Sequence, residues 1–307
     1  MTDTELEAYV VQLRNSMKGV GTDEDILIKL TSEHKLKTRL KMKSQYKSTY
    51  GRDLLDDFKS ELSGYFLELM LGLYTDIYEY DAEECHKALE GLGTNEETLI
   101  DIIGTRPGWM LKKIKEEYKE KYKAELEEDI KKETTGDFQK LLISLLACSR
   151  SDNKNPDKEK CSQIAKELYN AGEKKLGTEE EIFNKYIGTC SPPELMAIAR
   201  EYHKEYGKSL MVAIDKEFSG DICQLIKTIF YANISPSEYF ATRIKDAVSG
   251  AGTKEKILNR VIVARNEIDM ALIKQYYKLL YQKDLVEDIK GDTSGSYKNL
   301  LVEMINK

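Results

Sequence analysis

Apolar residues recur along this chain with the period of a helix. Leu6, Val10, Leu13 and Met17 are spaced four, three and four apart, which places them on one stripe of an amphipathic helix. The same rhythm of apolar and charged positions continues through DILIKL, LKTRLKMKSQY, DLLDDFKSEL and YFLELMLGLY. Proline is scarce, at 5 residues, so little interrupts long helices. The pattern predicts about five helices in each stretch of roughly 70 residues and favours an all-α chain over a β-sandwich.

The first stripe stops at MKGVGT, residues 17–22, where two glycines supply backbone conformations that other residues avoid. The interruption returns as LEGLGT, GEKKLGT and VSGAGT, with their last glycines at Gly21, Gly93, Gly177 and Gly252. A second landmark accompanies each one: SELSGYF, KETTGDF, KEFSGDI and GDTSGSY all hold an acid, a variable residue, Ser or Thr, and Gly. Each acid follows its loop glycine by 40 residues (Gly21 to Glu61, Gly93 to Glu133, Gly177 to Glu217, Gly252 to Asp292). The unit is therefore a pair of linked loops, repeated four times. The boundaries read as repeats over 1–75, 76–150, 161–234 and 235–307, with the polar, Pro-containing SDNKNPDKEK at 151–160 as a linker.

Local capping rules give the helix starts. Thr22 with Asp25, Thr94 with Glu97 and Thr178 with Glu181 have capping-box spacing, which Thr253 with Lys256 breaks. Ser63, Thr135, Ser219 and Ser294 stand where they would cap the last helix of each unit.

A Gly-x-Gly turn at a helix end exposes several backbone carbonyls. A carboxylate brought beside them completes an all-oxygen cage, which suits calcium better than magnesium, with its strict octahedron. No His or Cys stands near to favour a softer metal. One carboxylate per cage leaves bound calcium with net positive charge and open positions, so a lipid phosphate would complete it. Several weak sites would then act together. One GxGT alone is weak evidence, and one acid before a helix is explained by the helix dipole. That reading does not explain one offset held four times. Val20, Leu92, Leu176 and Ala251, between or beside the loop glycines, would either touch lipid or fold back on their own helices, and singly the second is expected.

Composition narrows the rest. The net charge of −7 opposes nucleic acid and simple electrostatic docking on an anionic bilayer. The five cysteines are dispersed without CxxC, so they read as small core residues rather than a zinc site or a disulfide framework. No apolar run reaches a membrane span, and MTDTELEAY has no features of a targeting segment, so the chain reads as cytoplasmic. The dinucleotide, P-loop and EF-hand patterns are all missing. His34, His86 and His203 lie far apart, and no catalytic set is visible. The chain is not expected to be an enzyme.

The four loops with their distant acids, together with GRDLLDDFKSEL and IKGDTSGSYKNLL, resemble the annexin family over about residues 4–305. The resemblance implies a curved all-α disc of four five-helix repeats, with calcium sites on the convex face. It also implies reversible, calcium-dependent binding to acidic phospholipid. Carried over residue by residue, the calcium ligands are Met17, Gly19, Gly21 and Glu61 in repeat I and Leu89, Gly91, Gly93 and Glu133 in repeat II. Repeat III, with its longer loop, gives Gly172, Lys175, Gly177 and Glu217, and repeat IV gives Val248, Gly250, Gly252 and Asp292. The family's arginine after each second helix is matched by Arg106 and Arg265 and lacking in repeats I and III. A scaffold linking membrane to a cytoskeletal protein is the alternative on the same fold. The long amphipathic tail by which some relatives recruit partners is not seen.

Overall fold

The computed structural model describes residues 2–91, 93–174, 177–250 and 252–307. These form twenty α-helices, and no strand occurs among the described residues. Repeat I holds α1 (Asp3–Ser16), α2 (Glu24–Glu33), α3 (Leu36–Tyr50), α4 (Leu54–Glu61) and α5 (Gly64–Leu73). Repeat II holds α6 (Ile77–Leu89), α7 (Glu96–Ile103), α8 (Gly108–Tyr122), α9 (Leu126–Glu133) and α10 (Gly136–Leu146). Repeat III holds α11 (Lys158–Ala171), α12 (Glu180–Thr189), α13 (Pro192–Tyr206), α14 (Leu210–Glu217) and α15 (Gly220–Ile234). Repeat IV holds α16 (Pro236–Ala247), α17 (Glu255–Arg265), α18 (Met270–Tyr281), α19 (Leu285–Asp292) and α20 (Gly295–Ile305). The helical period thus predicted both the class and the count per repeat.

The helices gather into two compact units. Residues 1–80 and 237–307, repeats I and IV, form one, and residues 81–236 form the other. In each unit the second helix of one repeat packs on the fifth helix of its partner. The pairs are α2 with α20 and α17 with α5 in the first unit, and α7 with α15 and α12 with α10 in the second. Small residues permit these crossings. A Cβ on Gly72 would sit 2.8 Å from both Tyr80 Cε2 and Val263 Cγ2. Leu13, Leu27, Phe58, Leu69, Leu300 and Met304 are fully buried, each contributing about 1.5–3 kcal/mol by leaving water.

Inside each repeat a buried tyrosine of the third helix donates to an acid. Tyr46 bonds Asp57 at 2.5 Å, Tyr118 bonds Asp129 at 2.9 Å and Tyr277 bonds Asp288 at 2.6 Å. In repeat III the fourth-helix position is Ala213, and Tyr202 turns to Glu173, in the loop between α11 and α12, at 2.9 Å.

Arg106 pairs with buried Asp81 at 2.7 and 3.0 Å, and Arg265 pairs with Asp269 at 2.9 and 2.6 Å. The repeats that lack this arginine recruit another. Arg39 of α3 donates to Thr31 O at 3.2 Å and Leu73 O at 2.6 Å. Arg150 donates to Ile187 O at 3.0 Å, and burial draws its pKa down to about 10. Cys85, Cys161, Cys190 and Cys223 are buried, as expected of small core residues, whereas Cys148 is half-buried, with a left-handed backbone, φ +53°. The 151–160 segment is tied to repeat III: Ser191 Oγ donates to Asn153 O at 2.7 Å, and Asn153 Nδ2 donates to Glu194 at 3.0 Å.

Candidate functional site

Each loop is closed by one backbone bond to the helix before it. Asp23 N donates to Ser16 O at 2.8 Å, Asn95 N to Ala88 O at 2.8 Å and Lys254 N to Ala247 O at 2.9 Å. In repeat III Glu179 N reaches Ala171 O at 2.7 Å, across one more residue, so this loop is longer, as its sequence indicates. Inside the first loop Gly19 and Gly21 take φ of +111° and +85°, a region that only glycine enters cheaply. That loop is described throughout, and there the carbonyls of Met17, Gly19 and Gly21 accept no hydrogen bond from the protein. Three backbone acceptors left open at one turn call for an outside partner.

The distant acids come to these loops. Thr22 Oγ1 donates to Glu61 Oε2 at 3.0 Å, Thr178 Oγ1 to Glu217 Oε2 at 2.5 Å and Thr253 Oγ1 to Asp292 Oδ2 at 2.6 Å. Thr94 differs: its hydroxyl donates to the backbone carbonyl of Glu133, at 2.8 Å. Among the described residues none of the four carboxylates is held in an ion pair. In repeat III the acid lies directly over the loop, and a Cβ on Gly172 would fall 3.1 Å from Glu217 Cγ. Lys175 lies outside the described residues, as do Leu92, Leu176 and Ala251.

These bonds correct the capping assignment. The cap of the helix after each loop is the residue that follows the threonine. Asp23 caps α2 through Ile26 N at 3.1 Å, and Asn95 caps α7 through Thr98 N at 2.9 Å. Glu179 and Lys254 stand at the other two caps, where the side chain makes no capping bond. Three of the threonine hydroxyls donate to an ionised carboxylate, a charge-assisted bond, and the fourth donates to a backbone carbonyl. Ser63, Thr135, Ser219 and Ser294 do occupy the predicted cap positions, but their hydroxyls make no capping bond. The first helical residue after Ser63, Gly64, is left-handed at φ +58°, which departs from the geometry a hydroxyl cap needs. Val20 is also corrected: it stands fully exposed at the loop tip rather than folded onto α1.

Repeats I and IV bring their acids to one cleft. Glu24 and Glu61 face it from one repeat and Glu255 and Asp292 from the other, with Tyr65 and Tyr297 between them, around about 390 Å³. Ser296 of α20 donates to Glu24 across this junction. Four carboxylates on one concave wall focus a negative potential on the mouths of two loops. Among the described residues, those of this cleft included, no three His, Cys, Asp or Glu side chains gather into a metal-binding group. No helix among the described residues is long and apolar enough to cross a membrane.

Four five-helix repeats, each with a glycine loop followed 40 residues later by an acid, and open carbonyls in the first loop, define a helical repeat protein. The annexin family model matches the chain four times, at residues 8–73, 80–145, 163–229 and 239–304, and the chain belongs to the annexin family. It is 38% identical to human annexin A7 over 295 residues, 96% of this chain and 60% of that protein, so it spans well under two thirds of that relative's length. It superposes on the structure of annexin III with a TM-score of 0.96 and 34% identity, covering 100% of this chain and 95% of that one. The structure of calcium-bound annexin (Sm)1 matches with a TM-score of 0.86 and 30% identity, covering 100% of this chain and 92% of that one.

Proposed function

We propose that this protein binds acidic phospholipid membranes peripherally and reversibly when calcium rises. The ligands are the carbonyls of Met17, Gly19 and Gly21 with Glu61, those of Leu89, Gly91 and Gly93 with Glu133, those of Gly172, Lys175 and Gly177 with Glu217, and those of Val248, Gly250 and Gly252 with Asp292. The observation that carries this reading is the Thr22–Glu61 bond, 3.0 Å across 39 residues, which holds a carboxylate beside three unpaired carbonyls. Membership of a family known for calcium-dependent phospholipid binding supports it, as does the calcium-bound state of a structural relative.

The donor set suits a hard cation that takes about six to eight oxygens at flexible angles. Bound calcium supplies a positive centre with coordination positions left for lipid phosphate oxygens. The protein's part is orientation: the glycines aim the carbonyls, and Thr22, Thr178 and Thr253 hold their carboxylates at the loop. Val20, exposed at its tip, offers an apolar contact to the lipid interface. With one carboxylate per loop each site is weak, and several in one molecule multiply their effect. We read the chain as a binding protein rather than an enzyme, acting on the cytoplasmic side of membranes.

Vesicle co-sedimentation tests the reading, with and without phosphatidylserine, in calcium or chelator. In about 0.5 M salt, which screens purely electrostatic docking, the wild type is expected to pellet only with both calcium and acidic lipid, and the Glu61→Ala, Glu133→Ala, Glu217→Ala, Asp292→Ala quadruple variant is expected to stay in solution. Equal pelleting of the two proteins in calcium would refute it.

A further inference from the structure

The third helix of repeat I breaks with an otherwise acidic chain. Between Lys35 and Arg52 stand Lys35, Lys37, Lys41, Lys43 and Lys47, and no Asp or Glu. Arg39 is buried on carbonyls and Arg52 is paired with Asp57, so neither adds free charge. Among the described residues the five lysines have no acidic partner. The corresponding helix of repeat II is neutralised: Lys115, Lys119 and Lys121 pair with Glu127, Glu125 and Glu83. On α3, Lys37, Lys41, Ser44 and Ser48 are exposed at helical spacing and form one stripe, with Lys47 exposed beside it. Lys307, whose Nζ donates to His34 O at 2.8 Å, adds a charge at the start of this helix.

Topology places this stripe away from the calcium loop. Loop I and Glu61 are joined by the Thr22 bond. From that junction α2 leads to one end of α3 through 10 residues, and α4 leads to the other end through 8. At 1.5 Å per residue those paths are about 15 and 12 Å long, so α3 closes the opposite end of the repeat.

We propose that the exposed face of α3 is a second docking surface, independent of calcium, for an anionic phospholipid bilayer. The chemistry favours a bilayer over other polyanions. The charges are ammonium groups on flexible stems, suited to a diffuse field of mobile headgroups rather than to fixed bidentate recognition. Between them lie small hydroxyls, with no exposed aromatic on the stripe on which a base would stack. A local run of lysines acts within a Debye length, so it binds although the whole chain is negative. Docked this way, loop I faces away from that bilayer.

The test uses the full chain in chelator, which removes the calcium-bridged contact and so separates this proposal from that one. Vesicles of phosphatidylcholine with phosphatidylserine should sediment the wild type at low ionic strength and release it in about 0.5 M salt, where screening is nearly complete. Lys37→Gln, Lys41→Gln and Lys47→Gln together should weaken this binding about tenfold or more. Arginine at the same three positions should preserve it. The glutamine variant's melting temperature and calcium-dependent sedimentation should match the wild type. The proposal is overturned if the wild type stays in solution in chelator, if the glutamine variant binds equally, or if α3 retains the protein on polyglutamate or heparin beads but not on vesicles.

Discussion

Removing the hydroxyl of Thr178 while keeping its shape tests how the carboxylate reaches its loop. In the native protein that hydroxyl holds Glu217 Oε2 at 2.5 Å, with the acid over Gly172 of the loop. A hydrogen bond to an ionised acceptor contributes about 1.5–3 kcal/mol when shielded. Glu217 is half-buried, so water takes over part of the loss and about 1 kcal/mol remains. Thr178→Val should therefore weaken calcium binding at this site about fivefold, because the acid must be ordered at the moment of binding. To isolate site three, the substitution is made where Glu61, Glu133 and Asp292 are already alanine, and calcium is titrated by equilibrium dialysis. Thr94→Val, in a background that keeps only Glu133, should shift affinity by less than about twofold, since that hydroxyl serves a backbone carbonyl rather than the carboxylate. Tighter binding by Thr178→Val would mean that the hydroxyl competes with the cation. No change would mean that Glu217 is positioned by its helix alone. Either result refutes the positioning argument.

Two further substitutions probe the frame that carries the loops. Gly72→Ala drives a methyl against Tyr80 and Val263 at the α5–α17 crossing, and should cost about 1–3 kcal/mol, read as a lower urea midpoint. Calcium-dependent sedimentation of the folded protein should survive it. The second concerns acid. The hydrogen bond from Arg52 holds the Asp57 carboxyl below the ordinary range, burial opposes this, and Tyr46 adds to it. A depressed folded pKa means that this stability is fully present above the unfolded value of about 3.9 and is lost as pH falls through the folded value. Asp57→Asn should lower stability at neutral pH by about 2 kcal/mol and flatten the loss below about pH 4, measured by urea unfolding across pH.

What the sequence disclosed follows from what each feature depends on. The pairing of Gly21 with Glu61 is legible because one repeat carries both, at a spacing that recurs four times. The helices are legible because burying one face imposes a period. The caps were misread because Thr22 and Asp23 are both good caps, and the choice between them rests on a carboxylate 39 residues away. The absence of an arginine after the second helix in repeats I and III was legible, but the side chains that reach that helix end instead were not. Arg39 and Arg150 reach the same kind of carbonyl, at the end of a second helix, from other places in the chain. Glu173 likewise stands in for the acid that Ala213 cannot supply. The shared cleft of Glu61 and Asp292 had no local signal at all. It exists because repeat I packs on repeat IV, so α2 meets α20 and Glu24 meets Ser296. Features set inside one repeat were written in its spacing, and features set by which repeats pair needed the packed unit.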